Sequence, residues 1–217
     1  MAPVGPHILV INPSSSVPMT AAISAGLDGF RTPHGPTIEC LRIPEGPLTI
    51  GTEAEILSSG LQVGAFVAQR PDADAVVIAC YAQPGLNHAR TVTRAPVIGI
   101  QDAAVMTAMT MVDRFGVIAL SQASINRHLR QLRWLGVEHR LAGETVLTRT
   151  GTDEAGLPGD LVAAGEELRS LGAHAVIFGC ASFAPYREGV EQALGLPVID
   201  PTQAAVGIAL GHVCRSR

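Results

Sequence analysis

A chain of 217 residues with 47% hydrophobic and only 16% charged residues can bury a sizeable core, as one compact unit or as two small lobes. A net charge of −4 without a Lys/Arg cluster excludes the electrostatic footprint of a nucleic-acid binder, and no run of eighteen apolar residues offers a membrane span. The opening Met1-Ala2-Pro3-Val4-Gly5-Pro6-His7 lacks a basic segment followed by a long apolar run, which predicts no secretory leader and a cytoplasmic protein.

Along the chain, short runs rich in Val and Ile at 7–11, 37–43, 75–79, 96–100, 116–120, 175–178 and 197–199 read as strands buried on both faces. Between them, segments of helical period at 20–27, 53–69, 102–112, 124–135, 160–171 and 202–213 read as helices. This alternation predicts βαβ units and parallel sheets, an α/β fold. Arg127, Arg130 and Arg133 share the solvated face of one helix. Residues 145–157, with Gly151, Thr152, Asp153 and Gly156, read as an irregular loop.

Parallel sheets bind ligands at the carboxyl ends of their strands. The loops there read Asn12-Pro13-Ser14-Ser15-Ser16, Pro44-Glu45-Gly46-Pro47-Leu48-Thr49, Cys80-Tyr81-Ala82, Ser121-Gln122-Ala123-Ser124 and Cys180-Ala181-Ser182: small polar or thiol groups with little charge. The four cysteines, Cys40, Cys80, Cys180 and Cys214, contain no CxxC pair and are too few for a disulfide scaffold, so free thiols are expected. The histidines lack the spacing of a metal site, and no metal is assigned.

An internal repeat is present. Ala75-Val76-Val77-Ile78-Ala79-Cys80 matches Ala175-Val176-Ile177-Phe178-Gly179-Cys180 one hundred residues on. Pro96-Val97-Ile98 with Asp102-Ala103-Ala104-Val105 then matches Pro197-Val198-Ile199 with Gln203-Ala204-Ala205-Val206. A weaker echo sets the strand that leads to Ser14 on the strand that leads to Ser121. The repeat predicts two pseudo-symmetric Rossmann-like lobes with an active cleft between them: 1–100 plus 201–217 as the first, 101–200 as the second. Cys80 and Cys180 then hold one structural place in two copies.

Free cysteine is often simply a small buried hydrophobe, and Cys40 and Cys214, in or beside apolar segments, are assigned to packing. Cys80 and Cys180 each follow a strand and precede a helix start, where a helix N-terminus favours the thiolate and lowers its pKa. Three uses of such a pair remain open: packing, a disulfide redox couple, and general acid/base catalysis in which one thiolate takes a proton from one face of a carbon while the opposite thiol delivers one to the other. Acid/base chemistry needs donors for the oxygen that gains charge. Backbone N–H groups at Tyr81, Ala181 and Ser182 and the hydroxyls of Ser15 and Ser121 are candidates, with helix capping as the alternative use of the serines. Asn12 is a candidate substrate amide or a turn former.

The segments Ile11-Asn12-Pro13-Ser14-Ser15-Ser16 with Met19-Thr20, Glu45-Gly46-Pro47-Leu48-Thr49-Ile50, Ile78-Ala79-Cys80-Tyr81-Ala82-Gln83-Pro84-Gly85-Leu86, Pro96-Val97-Ile98-Gly99-Ile100, Gly179-Cys180-Ala181 and Leu196-Pro197-Val198-Ile199-Asp200 together resemble the aspartate/glutamate/hydantoin racemase superfamily. The resemblance is strongest to its hydantoin (allantoin) racemase branch and runs over nearly the whole chain. It implies a cofactor-independent racemase of 5-substituted hydantoins or related cyclic ureides, with Cys80 and Cys180 as the two acid/base residues. It also implies a small-molecule substrate held by Asn12, by Pro47, Leu48 and Thr49, and by the residues after each cysteine, in a homo-oligomer. Gln83 stands where hydantoin racemases usually carry an acidic residue, and Ser182-Phe183 where Gly-Met is common. Tyr81 and Ala181 set the chain apart from the amino-acid racemase branch, and the low charge of the loops agrees, since a dicarboxylate wants cationic partners. Other carbanion chemistry of the same fold is the alternative: maleate cis–trans isomerisation, or malonate decarboxylation, whose pattern keeps only the second cysteine; an amino-acid racemase is the other alternative. A non-catalytic, redox-responsive binding protein is a third reading.

Overall fold

The computed structural model describes residues 5–147 and 156–214. The chain divides into two compact units, one formed by the residues up to Ala103 together with those from Thr202 onward, the other by Ala104–Pro201.

The first unit holds strands β1 (His7–Asn12), β2 (Thr37–Arg42), β3 (Ala75–Ile78) and β4 (Val97–Gly99), with helices α1 (Val17–Ala25), α2 (Glu53–Ala68) and α3 (Leu86–Val92) between them. Its sheet is wholly parallel, in the order β2-β1-β3-β4. The second unit repeats this with β5 (Phe115–Ala119), β6 (Leu141–Val146), β7 (Ala175–Phe178) and β8 (Val198–Ile199), in the order β6-β5-β7-β8. Its helices are α5 (Gln122–Leu135), α6 (Leu157–Ser170) and α7 (Arg187–Leu194). Two more helices, α4 (Ile100–Met111) and α8 (Pro201–Val213), carry the chain from one unit into the other. Helix α8 is tied back to the first unit by the Gln203 side-chain amide, which donates to the Gly26 carbonyl at 2.8 Å. No helix among the described residues is long and apolar enough to cross a membrane.

The central strands β1, β3, β5 and β7 are buried along their whole length, as apolar runs without alternation require. Leu9, Ile11, Val76 and Ile78 meet Val63 and Val67 of α2 in the first core. In the second, Ile118, Val176 and Phe178 meet Leu161 and Leu168 of α6 and Val190 and Leu194 of α7. Local signals set the helix starts. Ser16 caps α1 by accepting from the Met19 N–H, and Thr52 with Glu55 closes a reciprocal capping box on α2.

Three elements depart from the sequence expectation. Strand β6, Leu-Ala-Gly-Glu-Thr-Val, lies at a sheet edge and is mostly half-buried, so it carries neither an apolar run nor a clean alternation. Helices α3 and α7 are short and mostly polar, below the length at which periodicity is legible. Of the stretch 145–157 read as a loop, Thr145 and Val146 end β6, Leu157 opens α6, and 148–155 lie outside the described residues.

One close backbone approach carries the turn before α3. Gly85 sits in the left-handed region at φ 73°, and a side chain there would be driven into the Gly60 carbonyl of α2. We therefore expect Gly85→Ala to lower the unfolding free energy by about 2–4 kcal/mol, read from urea denaturation, combining the left-handed penalty with the clash.

Candidate active site

Both cysteines of the repeat sit at the same corner of their own sheet. In the first unit β3 pairs with β1 as far as Ile78 opposite Ile11, and the Ala79 N–H then donates to the Ile11 carbonyl at 2.8 Å. In the second, β7 pairs with β5 as far as Phe178 opposite Ile118, and the Gly179 N–H donates to the Ile118 carbonyl at 2.9 Å. The next residue in each case is the cysteine, half-buried. The turns that follow match as well: the Gln83 N–H reaches the Cys80 carbonyl at 2.9 Å, and the Phe183 N–H reaches the Cys180 carbonyl at 3.4 Å. This register gives Ser14 and Ser121 equivalent positions in their own units, in line with the weaker echo between β1 and β5.

Around Cys180 the chemistry is explicit. The Ser182 hydroxyl lies 3.0 Å from the thiol sulfur. Burial pushes this thiol above its ordinary range, hydrogen bonds from the Ser182 side chain and backbone pull the other way, and the negative charge of buried Asp200 adds to the rise. The expected lowering by a helix N-terminus is therefore reversed at Cys180. The residues after it form a six-residue 3-10 turn, Ala181–Tyr186, interrupted by Pro185, and this short turn aligns too few peptide dipoles to offset desolvation. After Cys80 there is likewise no immediate α-helix, since α3 begins only at Leu86.

The other candidate residues divide by what holds them. Asn12 is buried and its amide works inside the β1–α1 loop: it donates to Thr20 Oγ1 at 3.0 Å and to the Ser16 carbonyl at 3.3 Å, and accepts from the Ser14 N–H and hydroxyl at 3.1 and 3.0 Å. Ser15 is adjacent to the α1 cap, which is Ser16, so its hydroxyl has no capping duty. Ser121 occupies the N-cap position of α5 without bonding a helix N–H through its side chain. The Pro47 carbonyl accepts from the Ser15 N–H at 2.9 Å, which docks the loop bearing Pro47, Leu48 and Thr49 onto the β1–α1 loop. Leu48 and Thr49 point out, with Leu48 70% exposed. Tyr81 and Ala181, each following a cysteine, are both buried.

Three residues of the cysteine turns and their supports carry no functional signal in the sequence. Asp200 follows β8 directly, within electrostatic reach of Cys180. Asp102, in the first turn of α4, is bonded twice to Gln83. Phe183 packs edge-on against Phe178, ring centroids 5.6 Å apart, and anchors the Cys180 turn in the core. The Ser182-Phe183 pair thus joins a thiol contact to a packing anchor. Of the two remaining cysteines, Cys40 is half-buried beside the Arg31 guanidinium (3.8 Å), and burial raises its pKa despite Ser24 and Arg31. Cys214 is exposed just past α8, which differs from the packing role expected of it, because the helix ends before burying that position.

Comparison with known proteins follows the same lines. A family model described as Asp/Glu/Hydantoin racemase matches residues 8–209. A hydantoin racemase of Rhizobium meliloti is 33% identical over 94% of this chain and 87% of its own. One from Paenarthrobacter aurescens is 30% identical over 94% and 89%. Among solved structures, an allantoin racemase from Klebsiella pneumoniae superimposes with a TM-score of 0.90 at 26% identity, covering 98% of this chain and 89% of that one.

The raised pKa of Cys180 has a direct chemical readout. Its thiolate fraction at mildly alkaline pH is below that of a free cysteine, whose pKa is about 8.5. In peptide-resolved iodoacetamide labelling, the Cys180 rate should therefore climb at higher pH than that of a model thiol. Ser182→Ala removes a donor to the thiolate and should slow labelling of Cys180 by a further factor of about 10 at pH 8.

Proposed function

The chain belongs to the Asp/Glu/hydantoin racemase family, and from that premise we propose that it racemises 5-substituted hydantoins or related cyclic ureides by proton transfer between C5 and two thiols, Cys80 and Cys180, with no cofactor. The observation that carries this reading is the duplicated corner: two cysteines, each one residue past the N–H that closes its strand onto the central strand of its own sheet. The hydantoin and allantoin racemases among its relatives support the cyclic-ureide substrate class.

In the proposed reaction one sulfur, as thiolate, takes the proton from C5. The C–H electron pair moves into the adjacent ring carbonyl, and its oxygen gains charge. The second sulfur, as thiol, releases its proton to the other face of C5, and the carbonyl reforms with the centre inverted. The two sulfurs finish with their protonation states exchanged. In one direction Cys180 enters as the acid and Cys80 as the base, a role that suits the desolvation favouring the neutral Cys180 thiol, and in the reverse direction Cys180 must become the thiolate. Ser182 serves that second state, since its hydroxyl and N–H donate to the Cys180 sulfur, and hydrogen bonds to a charged group are worth about 1.5–3 kcal/mol. The hydroxyls of Ser15 and Ser121 and the backbone N–H groups of Tyr81 and Ala181 are the proposed donors to the developing oxyanion. Asn12 acts by shaping the loop that presents Ser15 and receives Pro47, Leu48 and Thr49 against the ring substituent.

One enantiomer of 5-benzylhydantoin incubated in D2O tests the reading. The expected result is loss of circular dichroism together with deuterium at C5, at rates far above the enzyme-free control. Cys80→Ser and Cys180→Ser should each lower racemisation by about 10³-fold or more, the range expected for loss of a general acid or base. Retention of both the signal and the C5 proton would overturn the proposal, and carbon dioxide release from a disubstituted malonate would redirect it to decarboxylation.

A further inference from the structure

We propose that Gln83 and Asp102 form the positioning device of the first thiol, a side-chain clamp that sets the turn bearing Cys80. This deepens the acid/base role given to Cys80 above and rests on it.

The two cysteine turns share their backbone pattern, yet they are anchored differently. In the second unit the residue three places after the thiol is Phe183, held in the core against Phe178. In the first unit that place belongs to Gln83, a polar side chain that is nevertheless buried, 8% exposed. A buried amide needs partners, and both of its ends find them on one residue. Gln83 Nε2 donates to Asp102 Oδ1 at 2.9 Å, and Gln83 Oε1 accepts from the Asp102 backbone N–H at 2.9 Å. Two bonds to a single residue close a ring and leave the side chain one conformation.

The surroundings are shaped to this ring. Among the described residues Gln83 is the only non-glycine with positive φ, at 50°. A side chain on Gly99, which pairs with Ile78 across β3 and β4, would occupy the space of the Gln83 side-chain carbonyl. Asp102 stands three residues beyond Gly99, in the first turn of α4, so the clamp joins the Cys80 turn to the rigid strand-to-helix junction of its own sheet. The Gln83 backbone N–H closes the same turn on the Cys80 carbonyl. Loss of the clamp removes the two side-chain bonds that offset the left-handed conformation of Gln83 and leaves the turn to its backbone bonds, which frees Cys80 to shift with it.

The test uses the full chain with Gln83→Glu, which sets a carboxylate against Asp102, Gln83→Met, which keeps length but loses both bonds, and Asp102→Ala, which removes the carboxylate acceptor and leaves the backbone N–H bond. The double variant Gln83→Glu/Asp102→Asn restores both bonds with one donor reversed. Readouts are peptide-resolved iodoacetamide labelling of Cys80 and Cys180, and kcat and KM for the hydantoin, measured where urea curves show each variant folded. In the single variants we expect kcat to fall by about 10–100-fold with KM within about threefold, the cost of a misplaced reacting group. The Cys80 labelling rate should shift about fivefold or more while that of Cys180 stays within about twofold, and the double variant should return both kcat and Cys80 labelling to within about fivefold of wild type. Folded single variants with wild-type Cys80 labelling and kcat would overturn the clamp, as would a double variant no better than Gln83→Glu. Labelling still decides the matter if the wild-type chain racemises no hydantoin, which would sink the reaction assigned above and leave the clamp to its own result.

Discussion

Each sheet is built from strands that all run one way, and that parallelism is the constraint on which the rest depends. Parallel strands cannot be joined by tight hairpins, so every strand must end, turn, and cross back over a face of the sheet by a helix. All strand exits of a sheet therefore lie on one edge, and there the ladder leaves backbone groups to be satisfied. Ala79 and Gly179 show how this is met: each donates one further hydrogen bond to the central strand after its own strand has ended. The cysteines come directly after, still near the buried edge and already off the ladder.

That location explains the balance of forces on the Cys180 sulfur. A position two residues past the end of a fully buried strand keeps much of the desolvation of the core, and desolvation favours the neutral thiol. Ser182 offers hydroxyl and N–H donors to the charged form, while Asp200 opposes it. A thiol so held resists ionising in water but has donors ready once it must carry charge. This is the property that a two-base proton exchange asks of the partner that begins as the acid.

The parts of this arrangement visible in the sequence are those determined by local composition. Runs such as Ala75-Val76-Val77-Ile78 reveal central strands because both faces are apolar, and their near copy at Ala175 reveals the repeat together with the equivalence of Cys80 and Cys180. The polar edge strand Leu141–Val146 carries no such signal. The direction of the Cys180 shift is not legible in the sequence, because a strand followed by small residues implies a helix N-terminus where the chain builds a 3-10 turn. Ser16, and not Ser15, caps the first helix, a difference of one residue that sequence spacing does not resolve. The bond between Gln83 and Asp102 joins residues nineteen apart, and only the strand pairing of Ile78 with Gly99 brings them together.

The strain at Gln83 separates two accounts of its turn. If the chain needed only a left-handed backbone there, glycine would supply it without the penalty of roughly 1–2 kcal/mol that a residue with a Cβ meets in that region. Glycine does serve that purpose two residues later, at Gly85, where the side chain of any other residue would strike Gly60. A glutamine kept in an unfavourable conformation, buried, with both amide ends bonded and with Gly99 leaving room for it, is retained for its side chain. Phe183 holds the second turn through apolar packing, which tolerates small rotations of the ring edge. The first turn is held instead by two directional bonds, which fix the orientation of the Gln83 amide against Asp102.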